Sequence, residues 1–306
     1  MLSSSKHEWL SFSAESRMKA ALTFSLCCLL LMTPAFAQEG PGTITVEPAE
    51  IFQGGIAVVT LTGQEVAGAR VFFGDTEIVP FPMPDGSYTA LVGVDLERPP
   101  GAIEISVRGR SGARQTWERR TTVSVLAREY PSEAFSVSPS FDQIDAATMK
   151  RIKREQAEFD RLWKTHTASR LWDGGFLAPV AGPITSPFGL RRVINSSPRA
   201  PHGGVDLKAQ LGAEIAAPNH GRVALRDDFY FSGKSIVLDH GGGVYTMYFH
   251  LSEFRVEKNA EVRKGDIIGL AGMTGRVTGP HLHWGARLNG ARVDPMELLK
   301  IAGSRQ

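Results

Sequence analysis

Cysteine is nearly missing from this chain, with 2 among 306 residues, and the two stand side by side as Cys27 and Cys28. A disulfide-dense fold and paired Cys-x-x-Cys metal clips are therefore excluded. A surplus of charge of either sign is missing too: 34 Lys+Arg face 32 Asp+Glu, with no acidic or basic tail. A nucleic-acid binder held by a clustered basic surplus does not fit that balance. Low-complexity tracts are absent, and 42% hydrophobic with 22% charged residues excludes collagen-like and disordered classes. Aromatics are only 8%, yet a chain of this length can bury a full core and is expected to form roughly two domains.

The one long apolar run is Ala20–Met32, shorter than the roughly 20 residues a spanning helix needs. Arg17 and Lys19 precede it and Ala35-Phe36-Ala37 follows, which is the order of a secretory signal cleaved before Gln38. A lipid-anchored reading fits worse, because Phe24-Ser25-Leu26 before Cys27 lacks small residues. Removal of residues 1–37 takes Lys6, Arg17 and Lys19 with Glu8 and Glu15, leaving a chain near neutral and free of cysteine. The expectation is a protein exported across the inner membrane to the periplasm or cell envelope, with no membrane contact after signal removal.

From Thr43 to Leu126 short β-rich runs alternate with turn residues: 43–47, 56–62, 70–73, 77–81, 87–94, 103–107 and 115–126. Ile103, Ile105 and Val107 would share one buried face, and Pro80, Pro82 and Pro84 confine their segment to an edge or loop. Seven such strands predict an immunoglobulin-like β-sandwich over 38–130, serving as spacer or binding module. Between Asp142 and His166 the period changes. Ile144, Met149, Ile152, Phe159, Leu162 and Trp163 recur at helical spacing, and Ser140-Phe141-Asp142-Gln143 has the form of a capping box. A helical connector is expected over 131–175, with His166 in a structural role near the helix end.

Strand patterns return after Phe176, at 235–239, 244–250, 266–269 and 281–288. Here the histidines gather: His202-Gly203-Gly204-Val205-Asp206, Tyr248-Phe249-His250-Leu251-Ser252 and His281-Leu282-His283-Trp284. On a strand His281 and His283 would face the same way. Two imidazoles and a carboxylate are the donor set of an open, catalytic zinc site, and a further imidazole can move a proton near neutral pH. His220 and His240 stand before glycines at turns and are expected to be structural or exposed. Gly269, Gly272, Gly275 and Gly279 make no dinucleotide fingerprint. Arg191, Arg192 and Arg199 could meet carboxylates or form a solvated basic face.

Taken together with Thr185–Arg191, Ala217-Pro218, Gly221–Val223, Lys264-Gly265-Asp266 and Thr274–Pro280, these segments resemble the lysostaphin- or LytM-type zinc endopeptidases of bacterial cell walls, over roughly 176–299. The resemblance implies a mainly β chain whose C-terminal domain, 176–306, is an antiparallel β-sheet peptidase of the duplicated hybrid motif. It makes His202, Asp206 and His283 the ligands of one Zn2+. His250 and His281 become a catalytic pair, one taking a proton from zinc-activated water and the other steadying the oxyanion. The family's additional tyrosine has no counterpart in Val193–Pro201. The implied activity is hydrolysis of peptidoglycan stem peptides or cross-bridges. The competing reading is a non-catalytic wall-binding module that regulates another hydrolase; members of that kind resemble the family with ligands missing, whereas here all five positions are present. A regulatory protein partner is also foreseen, because the helix or sandwich before the peptidase could cover its groove until released.

Overall fold

The computed structural model describes residues 42–301 apart from 113–114, 139–142 and 166. The expected signal with Cys27 and Cys28, most of the expected capping box, and His166 lie outside the described residues. Among the described residues no helix is long and apolar enough to cross a membrane.

The chain is mainly β. Its N-terminal part forms two facing sheets. One runs Gly42–Glu47, Ile56–Gly63, Tyr88–Gly93, Phe81–Pro82; the other runs Glu50–Phe52, Gln115–Leu126, Gly101–Ser111, Arg70–Phe73, Thr76–Ile78. Alternation drives this: Ile105 and Val107 turn inward from one long strand, Trp117, Val123 and Val125 from its partner, and Val59, Leu61 and Val92 meet them from the other sheet. Each such side chain contributes about 1.5–3 kcal/mol on burial. The strand expected over 77–81 is instead split between the two sheets, because Pro80 cannot donate to a ladder. Phe81–Pro82 becomes an edge.

The expected helix is shorter than its apolar pattern. Helix α1 spans Ala146–Leu162, and Asp145 caps it by accepting from Thr148 N at 2.9 Å. Phe159 is the centre of its docking, in ring contact with Trp163, Phe229 and Phe249 at 5.9, 4.9 and 6.0 Å between centroids. Glu155 is buried beneath the helix, where it pairs with Arg151 and accepts from Tyr230 N. Before the helix, Ser132–Phe135 pairs in parallel with Arg191–Ile194, a pairing with no apolar signature since all four residues of the first strand are exposed.

The C-terminal part is built on a sheet ordered Ile184–Ser186, Gly204–Leu207, Leu282–Leu288, Val244–Leu251, Gly233–Asp239, Gly221–Phe229, Glu261–Val262. A small sheet of Glu214–Ala216, Ile267–Leu270 and Glu253–Phe254 packs on it, and a one-turn helix α2 (Pro295–Leu298) follows. An apolar cluster joins the N-terminal sheets to this part: Ile56, Phe81 and Leu91 pack with Trp172, Phe176 and Leu288. Arg292 adds charge-assisted bonds to Asp95 and Glu97 at 2.7 and 2.6 Å across the same junction.

Candidate metal centre

The strands Gly204–Leu207 and Leu282–Leu288 run antiparallel with Asp206 directly opposite His283. Val205, Leu207, Leu282 and Trp284, the residues that alternate with them, are buried in the core. Core packing on one face therefore fixes which side chains emerge on the other. Gly204 has no Cβ because none fits: it would run into the Trp284 carbonyl and come within 2.8 Å of His283 Nε2. His202 precedes the strand, and its backbone is held by two bonds, Gly189 N to His202 O (2.8 Å) and His202 N to Leu190 O (3.0 Å).

Three donor atoms converge. His202 Nε2 lies 3.0 Å from Asp206 Oδ1 and 2.9 Å from His283 Nδ1, and that Nδ1 lies 2.9 Å from the same Oδ1. The carbonyl of Pro187, 2.9 Å from His202 Nδ1, can only accept, which places the proton of the neutral ring on Nδ1 and leaves a lone pair on Nε2. Burial opposes charge on Asp206, but the two imidazoles against it hold its carboxyl well below the usual range. Burial likewise pushes His283 down. Lone pairs gathered this tightly, in side chains only 9–14% exposed, repel unless a cation lies among them. Two nitrogens and one carboxylate oxygen, with no fourth protein donor in the cluster among the described residues, suit zinc with a position open to substrate.

His250 and His281 stand beside this triangle, their ring centroids 4.9 Å apart. Each gives its Nδ1 proton to a carbonyl, His250 to Thr274 O at 3.0 Å and His281 to Gly279 O at 2.9 Å. Both therefore keep Nε2 available, and that of His281 lies 3.7 Å from Asp206 Oδ1. His250 reaches its place through a bulge: Tyr248 pairs with Ile236 and Leu251 with Lys234, so Phe249 and His250 together face Ser235. Its backbone has φ +65°, a left-handed conformation uncommon for a residue with a side chain. Burial, with His283 adding to it, pushes the His250 imidazole down to about 4, so the ring is neutral at pH 7 and able to accept a proton.

All five sequence-derived residues thus come together. His240, by contrast, is wholly buried 20 residues from His220, whose carbonyl accepts from its Nδ1 at 2.6 Å, while Thr246 donates to its Nε2 at 2.8 Å. It is structural, and not exposed. Arg192 reaches Ser186 Oγ (3.1 Å) and Glu133 (3.6 Å) near His202. Phe249 is the neighbour that residue chemistry did not flag: its ring lies flat on His283, 5.2 Å between centroids and 5° between planes. From there a cleft of about 500 Å3 opens between α1 and the sheet, lined among others by Gln156, Phe159, Trp163, Gly203, Phe249 and Arg287. Helix α1 lies along one side of it.

Residues 200–295 match the model of Peptidase family M23. Among curated proteins the chain is 38% identical over 115 residues to peptidoglycan DD-endopeptidase ShyA of Vibrio cholerae, covering 37% of this chain and 27% of that protein. Glycyl-glycine endopeptidase ALE-1 of Staphylococcus capitis is 37% identical over 108 residues, covering 33% and 30%. The chain thus spans less than a third of the length of these relatives. The crystal structure assigned to peptidase M23 from Pseudomonas aeruginosa superposes with a TM-score of 0.65 at 31% identity, covering 81% of this chain and 94% of that one. With the His and Asp cluster inside the matched segment and a likeness that extends through the N-terminal sheets, the chain belongs to peptidase family M23.

Proposed function

We propose that the chain is a secreted zinc metalloendopeptidase that hydrolyses peptide cross-links of bacterial peptidoglycan. The observation that carries this reading is the triangle of His202 Nε2, Asp206 Oδ1 and His283 Nδ1 beside two imidazoles with free Nε2 atoms. Zinc held by those three atoms would polarise a peptide carbonyl and make water acidic enough to attack near neutral pH. Of the chain's own groups, His250 and His281 move the proton. Whichever Nε2 accepts it from the attacking water becomes a donor, able to pass it to the departing amine or to hold the oxyanion. Carbonyl anchors at Thr274 and Gly279 keep both rings oriented for that exchange. The peptidoglycan substrate is supported by what the named relatives act on, D,D-bonds in one case and glycyl-glycine bonds in another.

The organisation proposed with this activity is a cleaved signal over 1–37, an immunoglobulin-like spacer over 38–130, a helical connector over 131–175 and the peptidase domain over 176–306. Amino-terminal sequencing of the exported protein should begin at Gln38. For the activity itself, residues 38–306 are incubated with isolated peptidoglycan, with and without chelator, beside His202→Ala and His281→Ala. New amino termini should appear only with the untreated wild type, the variants losing at least about a hundredfold. Wall binding without new termini would transfer the assignment to a regulatory module.

A further inference from the structure

We propose that the cleft beside the metal centre binds an extended peptide, and that Arg287 holds a free carboxylate of that peptide about four residues from the bond cut. The inference rests on the peptide-hydrolase reading and adds a recognition site to it. The cleft floor is the antiparallel pair in which Phe249 faces His283, Met247 faces Gly285 and Tyr245 faces Arg287. Side chains two apart on a strand share a face, so His283, Gly285 and Arg287 form one row leading away from the metal centre. Gly285 leaves the middle of that row without a side chain, flanked by the Met247 side chain and the Gly203 carbonyl. Four residues of strand extend about 13 Å, which an extended peptide covers with about four residues of its own. Gln156, Phe159 and Trp163 of and just after α1 wall one side, and they lie outside the segment matched by the family model.

Arg287 has the attributes of an anion receptor. It is half-buried, and its guanidinium lies over the Trp163 ring, 4.7 Å from the centroid, which fixes the plane of the group. One N–H goes to Gly290 O at 2.7 Å. Among the described residues it makes no ion pair with a carboxylate; Asp95 is taken by Arg292, and Asp160 accepts from Gln156 at 2.9 Å. None of its nitrogens is buried without a partner, and the residue lines the cleft. A stacked guanidinium with its edge free matches a carboxylate through two parallel bonds.

The test uses two synthetic peptides, identical except that the carboxylate at this position is free in one and amidated in the other. With wild type, amidation should raise KM at least tenfold with kcat within about twofold, the weight of a charge-assisted pair. Arg287→Met should bring the two KM values together, and Arg287→Lys should restore part of the difference. Equal KM values with wild type, a comparison that needs no variant to fold, would overturn the proposal. Should wild type cleave neither peptide, titration calorimetry separates the two readings. Tenfold tighter binding of the free carboxylate would keep the cleft assignment while the hydrolase reading falls, and equal affinities would remove both.

Discussion

A methyl group at Gly204 would press on the Trp284 carbonyl and on His283 at once. Gly204→Ala is therefore expected to cost about 2 kcal/mol, despite the lower entropy of its unfolded chain, and to lower the amount of metal bound per molecule. Urea unfolding and metal analysis of the same sample check both effects. His240 gives a pH dependence instead. Burial pushes its imidazole from 6.5 down to about 4, so the folded state holds fewer protons than the unfolded one between those values. Its contribution is complete above pH 6.5 and is lost as pH falls toward 4, about 3 kcal/mol in all. Urea midpoints at pH 7, 5.5 and 4 should fall more steeply for wild type than for His240→Gln. The five candidate residues, which the structure brings together, could be picked out of the sequence from the spacing of their His and Asp segments and the family resemblance those segments carry. The carbonyls of Pro187, Thr274 and Gly279 were not, since every residue carries one and only the fold selects which are used.

At the scale of elements, the bulge that presents His250 stores strain at a side chain to which the proposed cleavage assigns a part. His250→Gly should leave stability within about 1 kcal/mol of wild type or above it, because φ +65° suits glycine, while cleavage drops by a factor of roughly a hundred or more. Thermal melts beside peptide cleavage would separate those outcomes. Helix α1 depends on its aromatic contacts: Phe159→Ala should cost about 3 kcal/mol by emptying the space between Phe229 and Phe249. Most strands could be read from alternation, as in Ile105 and Val107. The helix start could not, because Asp145 rather than a longer capping box supplies the first acceptor. Ser132–Phe135 was equally hidden, being joined to its partner through backbone bonds and the exposed Glu133–Arg192 pair, with no apolar face to mark it.

For the whole molecule, the shared apolar cluster and the Arg292 pairs should make the two parts unfold together. Calorimetry should show one transition, and Arg292→Ala should lower it by the equivalent of about 2 kcal/mol without splitting it. Fluorescence of Trp117 in the N-terminal sheets and release of metal should then report the same midpoint. The sequence foreshadowed two parts but carried no sign of how firmly they join, since Ile56, Phe81 and Leu288 look like ordinary core residues until the surfaces meet. The opposition of Asp206 and His283 across one rung of the sheet has a further consequence. Because that rung is set by backbone pairing and by the core behind it, the protein can complete folding first and acquire its ion afterwards. On the proposed reading, stripping and returning the metal should then switch each molecule off and on repeatedly, and the supply of that metal in its surroundings would govern how many copies are competent at any moment.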